Sequence, residues 1–292
     1  MQQEENKKKK LKTKTTQEVI NKIINNYNKG MGLKASGEEF NIGPYAVRNI
    51  LVNNNITIRT QSESAILSNI NRKKYFCNLN YFKTQSPNMA YILGFLAADG
   101  YIPLDKNEIK ITLAQKDAEL LEKIKKELEF TGEVKYTTTN KGFDIATLEI
   151  TAIEYKQDLA QYNIIPQKTF KFSMPEKLNK KYWIDFIRGY WDGDGTICTA
   201  GKSAIRSSLC SAKKETLEQI LNFLEENYSI KKVTIQERSG VNTLYYFQYS
   251  TTATKQLFKA MYYKENLFCL NRKYKKFCEL CIDNKYPRDS IS

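Results

Sequence analysis

The chain has 292 residues, with 46 Lys and Arg against 32 Asp and Glu, a formal charge of +14 and an isoelectric point near 9.3. It contains no His, which excludes a Ser-His-Asp triad, a His-based nuclease motif and a His-ligated zinc hydrolase. The N-terminus is polar and no apolar run approaches the ~20 residues of a membrane span, so a cytoplasmic or organellar location is expected, not a secreted or membrane one, and the positive surface suits a polyanion bound in a salt-dependent way.

Residues 1–15 form a basic tail around Lys7, Lys8, Lys9 and Lys10 with nothing to bury, expected to be disordered. Residues 16–58 read as a compact helical unit. Thr16 is placed to cap a helix through Val19, Ile20, Ile23, Ile24 and Tyr27 that stops near Gly30. A short second helix carries Leu33 to Phe40, and Asn41-Ile42-Gly43 turns the chain into a third that begins at Pro44, a favoured first position. Val47, Ile50 and Leu51 make its inner face, leaving Tyr45, Arg48 and Asn49 outward. The unit resembles the helix-turn-helix of resolvases and transposases. That resemblance implies that the third helix enters the major groove, where Arg and Asn read G and A edges. Residues 59–86, with Asn71-Arg72-Lys73-Lys74, read as a linker.

From Pro87 the same order of elements occurs twice, in halves spanning 87–178 and 179–286, with 287–292 as a tail. In the first half a strand at 101–104 and a turn at Asp105 lead into a strand from Glu108 to Gln115. Ile109, Ile111 and Leu113 lie on one face of that strand, Lys110 and Thr112 on the other. A helix from Asp117 to about Glu129, strands near 133–138 and 143–151, and a helix over 152–162 follow. The second half gives strands near 196–200 and 204–211, a helix over 213–227, strands near 231–237 and 243–250, and a helix over 252–264. The fold class is therefore α+β. Six cysteines do not look like a secreted disulfide framework. Cys278 and Cys281, with Cys269 nearby, have ligand-like spacing but also lie on an amphipathic helix where Cys serves as a small core residue.

Each half opens on one uncommon pattern. Ala90-Tyr-Ile-Leu-Gly-Phe-Leu-Ala-Ala-Asp-Gly100 is echoed by Phe186-Ile-Arg-Gly-Tyr-Trp-Asp-Gly-Asp-Gly195. In both, a Gly stands five residues before the Asp: Gly94 before Asp99, Gly189 before Asp194. Apolar, Gly-bearing stretches at helical spacing predict two helices in close backbone contact through Gly94 and Gly189, each stopped by the Gly after its Asp. Asp99 and Asp194 would then meet at paired C-terminal ends, where carbonyl oxygens point outward. An acid at the negative end of a helix dipole is disfavoured unless a cation sits there, and two acids with several carbonyls suit a hard divalent ion. Arg188, unusual in such a contact, is expected to face outward, and Asp192, matched by Ala97 in the first half, to stand outside any symmetric set.

With these two motifs the chain resembles the LAGLIDADG homing endonucleases in their single-chain form. The resemblance implies two pseudo-symmetric αββαββα halves whose antiparallel sheets form a saddle on double-stranded DNA, and a monomer reading a long asymmetric site. It implies Asp99 and Asp194 as ligands of Mg2+, or of another divalent cation such as Mn2+, and a staggered double-strand break with 3′ overhangs. It also implies a supporting shell of Gln115, Lys168 and Lys273, with Ser211 where the second half would repeat Gln115. The polar faces of the sheets nominate Lys110, Thr112, Lys135 and Thr137 in the first half and Arg206, Ser208, Gln236 and Arg238 in the second as groove-facing residues. Two alternatives stand beside the enzyme: a transcription regulator on the same fold that does not cleave, and an RNA intron maturase, against which a helix suited to B-form grooves argues.

Overall fold

A computed structural model describes residues 16–64, 75–200, 204–240 and 243–282. The 1–15 tail, the basic Asn71–Lys74 stretch and the 287–292 tail lie outside them. The chain divides into two units, Met1–Lys74 and Tyr75–Ser292.

In the smaller unit three helices, α1 (Gln17–Asn28), α2 (Leu33–Glu38) and α3 (Pro44–Asn53), pack around Ile23, Tyr27, Val47 and Leu51. Thr16 occupies the N-cap of α1, but its side chain makes no capping bond. Gly30 then takes a left-handed φ of 96°, which ends the helical path. Helix α2 stops before Phe40 because the chain reverses at Asn41, φ 53°. As expected, Tyr45, Arg48 and Asn49 are exposed and Val47 and Leu51 fully buried. The unit extends past residue 58: the Arg59 amide donates to the Tyr27 hydroxyl at 2.8 Å, and its guanidinium lies 3.9 Å from the centre of that ring.

The larger unit begins at Tyr75, so residues 75–86, read above as linker, are part of the packed structure. Phe82 is buried in a short 3-10 turn, the Asn78 amide donates to the Leu128 carbonyl at 2.9 Å, and the Tyr155 hydroxyl donates to the Asn78 carbonyl at 2.9 Å. The polar and aromatic mixture hid this, because those partners lie about 50 to 80 residues downstream.

Two long helices form the centre: α4 (Pro87–Asp99), capped by the Ser86 hydroxyl accepting from the Met89 amide at 3.1 Å, and its repeat α7 (Trp183–Asp194). Each feeds a four-stranded antiparallel sheet. The first runs β1 (Gly100–Tyr101), β2 (Glu108–Ala114), β4 (Asp144–Thr151), β3 (Lys135–Thr138) in spatial order; the second runs β5 (Thr196–Ala200), β6 (Ala204–Ser211), β8 (Leu244–Tyr249), β7 (Gln236–Arg238). Strand β1 is shorter than expected, since Pro103 has no N–H to give a ladder. Helices α5 (Ala118–Glu127) and α6 (Ile153–Ala160) back the first sheet, α8 (Lys214–Tyr228) and α9 (Thr251–Met261) the second, and α10 (Asn271–Cys281) completes the second half. Ile109, Ile111, Ala146, Leu148 and Ile150 from the first sheet and Leu209 and Phe247 from the second join one continuous core with α4 and α7. Burial of these faces supplies the main stabilisation, at about 25 cal/mol per Å2 of apolar surface.

Arg188 is the clearest departure from expectation. It is fully buried, not outward. Its guanidinium pairs with Asp185 at 2.8 Å and donates to the Phe268 and Met261 carbonyls at 2.8 and 2.9 Å. Those carbonyls sit in the irregular segment before α10 and at the end of α9, where backbone acceptors otherwise lack partners.

Candidate functional site

Helices α4 and α7 touch backbone to backbone. A Cβ on Gly94 would lie 2.0 Å from the Phe186 carbonyl oxygen, and one on Gly189 would lie 2.0 Å from that of Tyr91. The contact therefore has the two-fold character the repeated motif implied. One turn further on, a Cβ on Gly193 would meet Ala98 at 2.2 Å and the Asp99 carboxylate at 3.3 Å. The helices end together at Asp99 and Asp194. The glycines that follow do not adopt the left-handed stop expected of them: Gly100 and Gly195 are extended, at φ −72° and −85°. They are glycines for room, since a Cβ there would fall 2.5 Å from the Leu96 carbonyl or 2.3 Å from the Trp191 ring.

The two acids are electrostatically strained. Burial pushes the Asp194 carboxyl up to about 6, the like charge of Asp99 adds to that, and Lys273 and Lys168 oppose it. Asp99 is the more exposed, yet the packed helix ends around its carboxyl still raise its pKa against Lys273, Lys168 and Arg272. Asp194 also has a hydrogen bond from Tyr190, which interacts with Ser211 as well. Tyr190 was not singled out from sequence. It stands four residues before Asp194, on the same helix face, where the first half has Phe95.

The structure brings both lysines to the helix ends. Lys168, in a 3-10 turn after the left-handed Gln167, is buried and donates to the Gly100 carbonyl. Lys273, in the first turn of α10, donates to Gly195 at 2.6 Å and also to the carbonyls of Trp191, Asp192 and Gly193 at 3.0, 2.6 and 3.1 Å. Burial lowers both ammonium pKa values and the nearby carboxylates resist this. Gln115 is exposed at the start of a 3-10 turn after β2, whereas Ser211 is buried and accepts from the Lys213 amide at 3.2 Å.

Asp192 is held apart from this pair. Its carboxylate accepts from the Tyr91 hydroxyl at 2.8 Å and the Leu270 amide at 2.7 Å, and burial brings it to about 6. It is a tie between α4, α7 and the strand of chain before α10. Tyr91→Phe is expected to cost about 1–2 kcal/mol, the effect of removing one of two donors to a buried carboxylate, measurable as a lower urea midpoint with an unchanged m-value.

The nominated sheet residues fall on common faces. In the first sheet the register pairs Lys110 with Glu149, Thr112 with Thr147 and Lys135 with Thr147, so Lys110, Thr112, Lys135 and Thr137 share the face opposite the core. Lys135 lies 3.5 Å from Glu149, and the Thr112 and Thr147 hydroxyls are 3.1 Å apart. In the second, Arg206 pairs with Cys198, Ser208 with Thr196 and Gln248, Gln236 with Tyr246, and Arg238 with Leu244, again on one face. Glu149, Thr147, Tyr246 and Gln248 belong to these faces and become visible only through cross-strand register.

Among the described residues no group of three or more His, Cys, Asp or Glu is arranged to hold a metal ion. Two carboxylates facing one another with raised pKa values nevertheless fit a divalent cation. Lys273 occupies the carbonyls at the end of α7 and Lys168 that of Gly100, so water and phosphate oxygens would be among the cation's other ligands. Burial pushes the Cys269 thiol up to about 12 and that of Cys281 up to about 11. No helix among the described residues is long and apolar enough to cross a membrane.

A family profile described as "LAGLIDADG-like domain" matches residues 86–162 and 183–280. An uncharacterized protein of Methanocaldococcus jannaschii is 27% identical over 194 residues, which cover 62% of this chain and 66% of that protein, just under two thirds of its length. Among solved structures, similarity extends to the I-LtrWI LAGLIDADG homing endonuclease bound to target DNA, at 13% identity, 70% of this chain, 90% of that one and a TM-score of 0.43. It extends also to full-length DUF199/WhiA from Thermatoga maritima, at 14% identity, 69% of this chain, 64% of that one and a TM-score of 0.42.

Proposed function

The chain belongs to the LAGLIDADG-like domain family, and on that premise we propose that it is a site-specific, metal-dependent double-stranded DNA endonuclease of the homing type that leaves 3′ overhangs. The observation that carries this reading is the pair Asp99 and Asp194, set side by side at the ends of two helices that glycine lets touch. A protein that only bound DNA would have no use for two mutually repelling carboxylates there.

Asp99 and Asp194 are the residues that would hold Mg2+ or Mn2+. A divalent cation there supplies an activated water and neutralises charge on the leaving 3′ oxygen. Lys168 adds positive charge beside the acids, and Gln115, exposed at the rim, orients water. The polar sheet faces lie in the major groove and read the site, and α3 of the smaller unit adds a second contact through Tyr45, Arg48 and Asn49. Arg206→Ala is expected to relax preference at one base pair by about 1–3 kcal/mol, seen as lost information at that position when a randomised target pool is selected for binding.

The test is cleavage of a pooled DNA library containing the gene's own uninterrupted insertion locus. Purified protein is incubated with Mg2+ or EDTA, beside the Asp99→Asn/Asp194→Asn double variant. A defined double-strand cut that needs both metal and acids supports the endonuclease. Specific retention of DNA without a cut overturns it in favour of a regulator, and preference for structured RNA over duplex DNA in favour of a maturase.

A further inference from the structure

The two halves repeat each other closely, yet the basic group at each helix end is wired differently. Both lysines donate to the same acceptor, the carbonyl of the glycine after the motif acid: Lys168 to Gly100, Lys273 to Gly195. Lys273 then takes three more carbonyls, those of Trp191, Asp192 and Gly193, within 3.1 Å. An ammonium has three N–H donors and no acceptor. Four carbonyls consume all of them. Lys168 shows the one bond to Gly100 among the described residues, although the Leu96 carbonyl is placed as that of Trp191 is, each accepting the amide of the glycine four residues on.

Their charged surroundings differ in the same sense. The carboxylates that support the charge of Lys168 are Asp194 and Asp99. For Lys273 the foremost is Asp192, the acid bonded to Tyr91 and Leu270, with Asp99 and Asp194 behind it and Arg272 working against the charge. Arg272 itself is fixed to Asp117 of the first half at 2.8 Å. This ties the N-terminal turn of α10 to the first half, while Lys273 on the same turn bonds the end of α7.

We propose that the two lysines have different tasks: Lys168 is the ammonium that contacts the scissile phosphate of one strand, whereas Lys273 is a cap that fixes the end of α7 and so positions Asp194. This rests on the endonuclease reading. The consequence is two unequal cleavage centres, and the other mismatches between the halves agree with it. Asp194 has the Tyr190 hydroxyl where Asp99 has Phe95, and exposed Gln115 is answered by buried Ser211.

The experiment compares full-length wild type, Lys168→Met, Lys273→Met and the milder Lys273→Gln, which keeps two N–H donors. Each is melted without metal and assayed at saturating DNA on a duplex labelled separately on each strand. Lys168→Met is expected to melt within about 2 °C of wild type and to slow one strand about 100-fold more than the other. Lys273→Met is expected to melt about 5–10 °C lower. At temperatures where it is folded, it should slow both strands together and raise the Mg2+ needed for half-maximal cutting. Lys273→Gln is expected to fall between Lys273→Met and wild type in melting and Mg2+ demand, which keeps the test sound if the Met variant does not fold. Mirror-image losses, each lysine governing one strand with equal melting temperatures, would overturn the proposal. A wild type that cuts neither strand overturns the endonuclease reading instead; the melting comparison then decides the cap, which equal melting of the two Met variants refutes.

Discussion

Asp194→Asn is expected to abolish cleavage in Mg2+ while making the metal-free protein more stable. The loss of cutting should be about 10³-fold or more, because the carboxylate that places the cation is gone. The gain in stability follows from the same geometry. Burial and the neighbouring charge of Asp99 raise the Asp194 pKa to about 6 from its usual 3.8. Folding at pH 7 therefore holds an ionised carboxyl where a neutral one is preferred. Replacing it with a neutral amide of similar shape is expected to stabilise the protein by about 1–3 kcal/mol, a rise of roughly 3–8 °C in melting temperature.

The pH dependence has a defined sign. A group whose folded pKa is raised contributes stability that is complete below its unfolded pKa, near 4, and is lost as pH rises through 6. Asp192, also raised to about 6, contributes in the same window. The wild-type melting temperature should thus fall between pH 4 and pH 7 through these two groups, and Asp194→Asn should remove part of that slope. Mg2+ at pH 7 should raise the melting temperature of wild type and not that of the variant, since a ligand stabilises only the state that binds it. Calorimetry from pH 4 to 7, with and without Mg2+, measures all of this. A variant that loses both cutting and stability would mean that Asp194 is a structural residue.

Gly94→Ala is expected to disrupt the larger unit. A single added methyl would meet the Phe186 carbonyl at 2.0 Å and the Tyr190 amide nitrogen at 2.8 Å. Both are backbone atoms in the middle of a helix, so no side-chain rotation relieves the clash. The helices must separate, which opens the core on both sides of α4 and moves Asp99 away from Asp194. The cost should exceed the ~1–3 kcal/mol usual for overpacking, because two rigid helices shift together. Gly189→Ala should behave alike, its contact being the mirror image against Tyr91. Gly43→Ala is the control: nothing lies within 4 Å of its added Cβ and its φ is −70°. Denaturant unfolding of the three variants should give two large losses and one near-zero change.

Much of the fold is legible in the chain because local patterns carry it. Alternation in Ile109, Ile111 and Leu113 specifies β2 and its buried face, and stripes such as Leu217, Ile220, Leu221 and Leu224 specify α8. Boundaries drift where a strand is short or a proline interrupts it, as at β1. The glycines of the two motifs announced a helix contact, and Gly94 and Gly189 make it. Gly100 and Gly195 show the limit of the same signal: a glycine after a helix reads as a left-handed stop, yet these two are extended and are small because something is packed against them.

What the sequence determined by itself is the order of the elements, the two carboxylates at repeated helix ends, the positive charge and the absence of any imidazole. What only the tertiary structure decided is the work of each buried polar group. Arg188 reads as an outward charge until the Phe268 and Met261 carbonyls, 80 and 73 residues away, are seen to need a donor. Lys168 and Lys273 read as equivalents until the carbonyls around each are known. The physical reason is common to all of them. Hydrophobic periodicity is a local property of the chain, whereas a desolvated charge is given its role by whichever donors and acceptors the fold brings to within 3 Å of it.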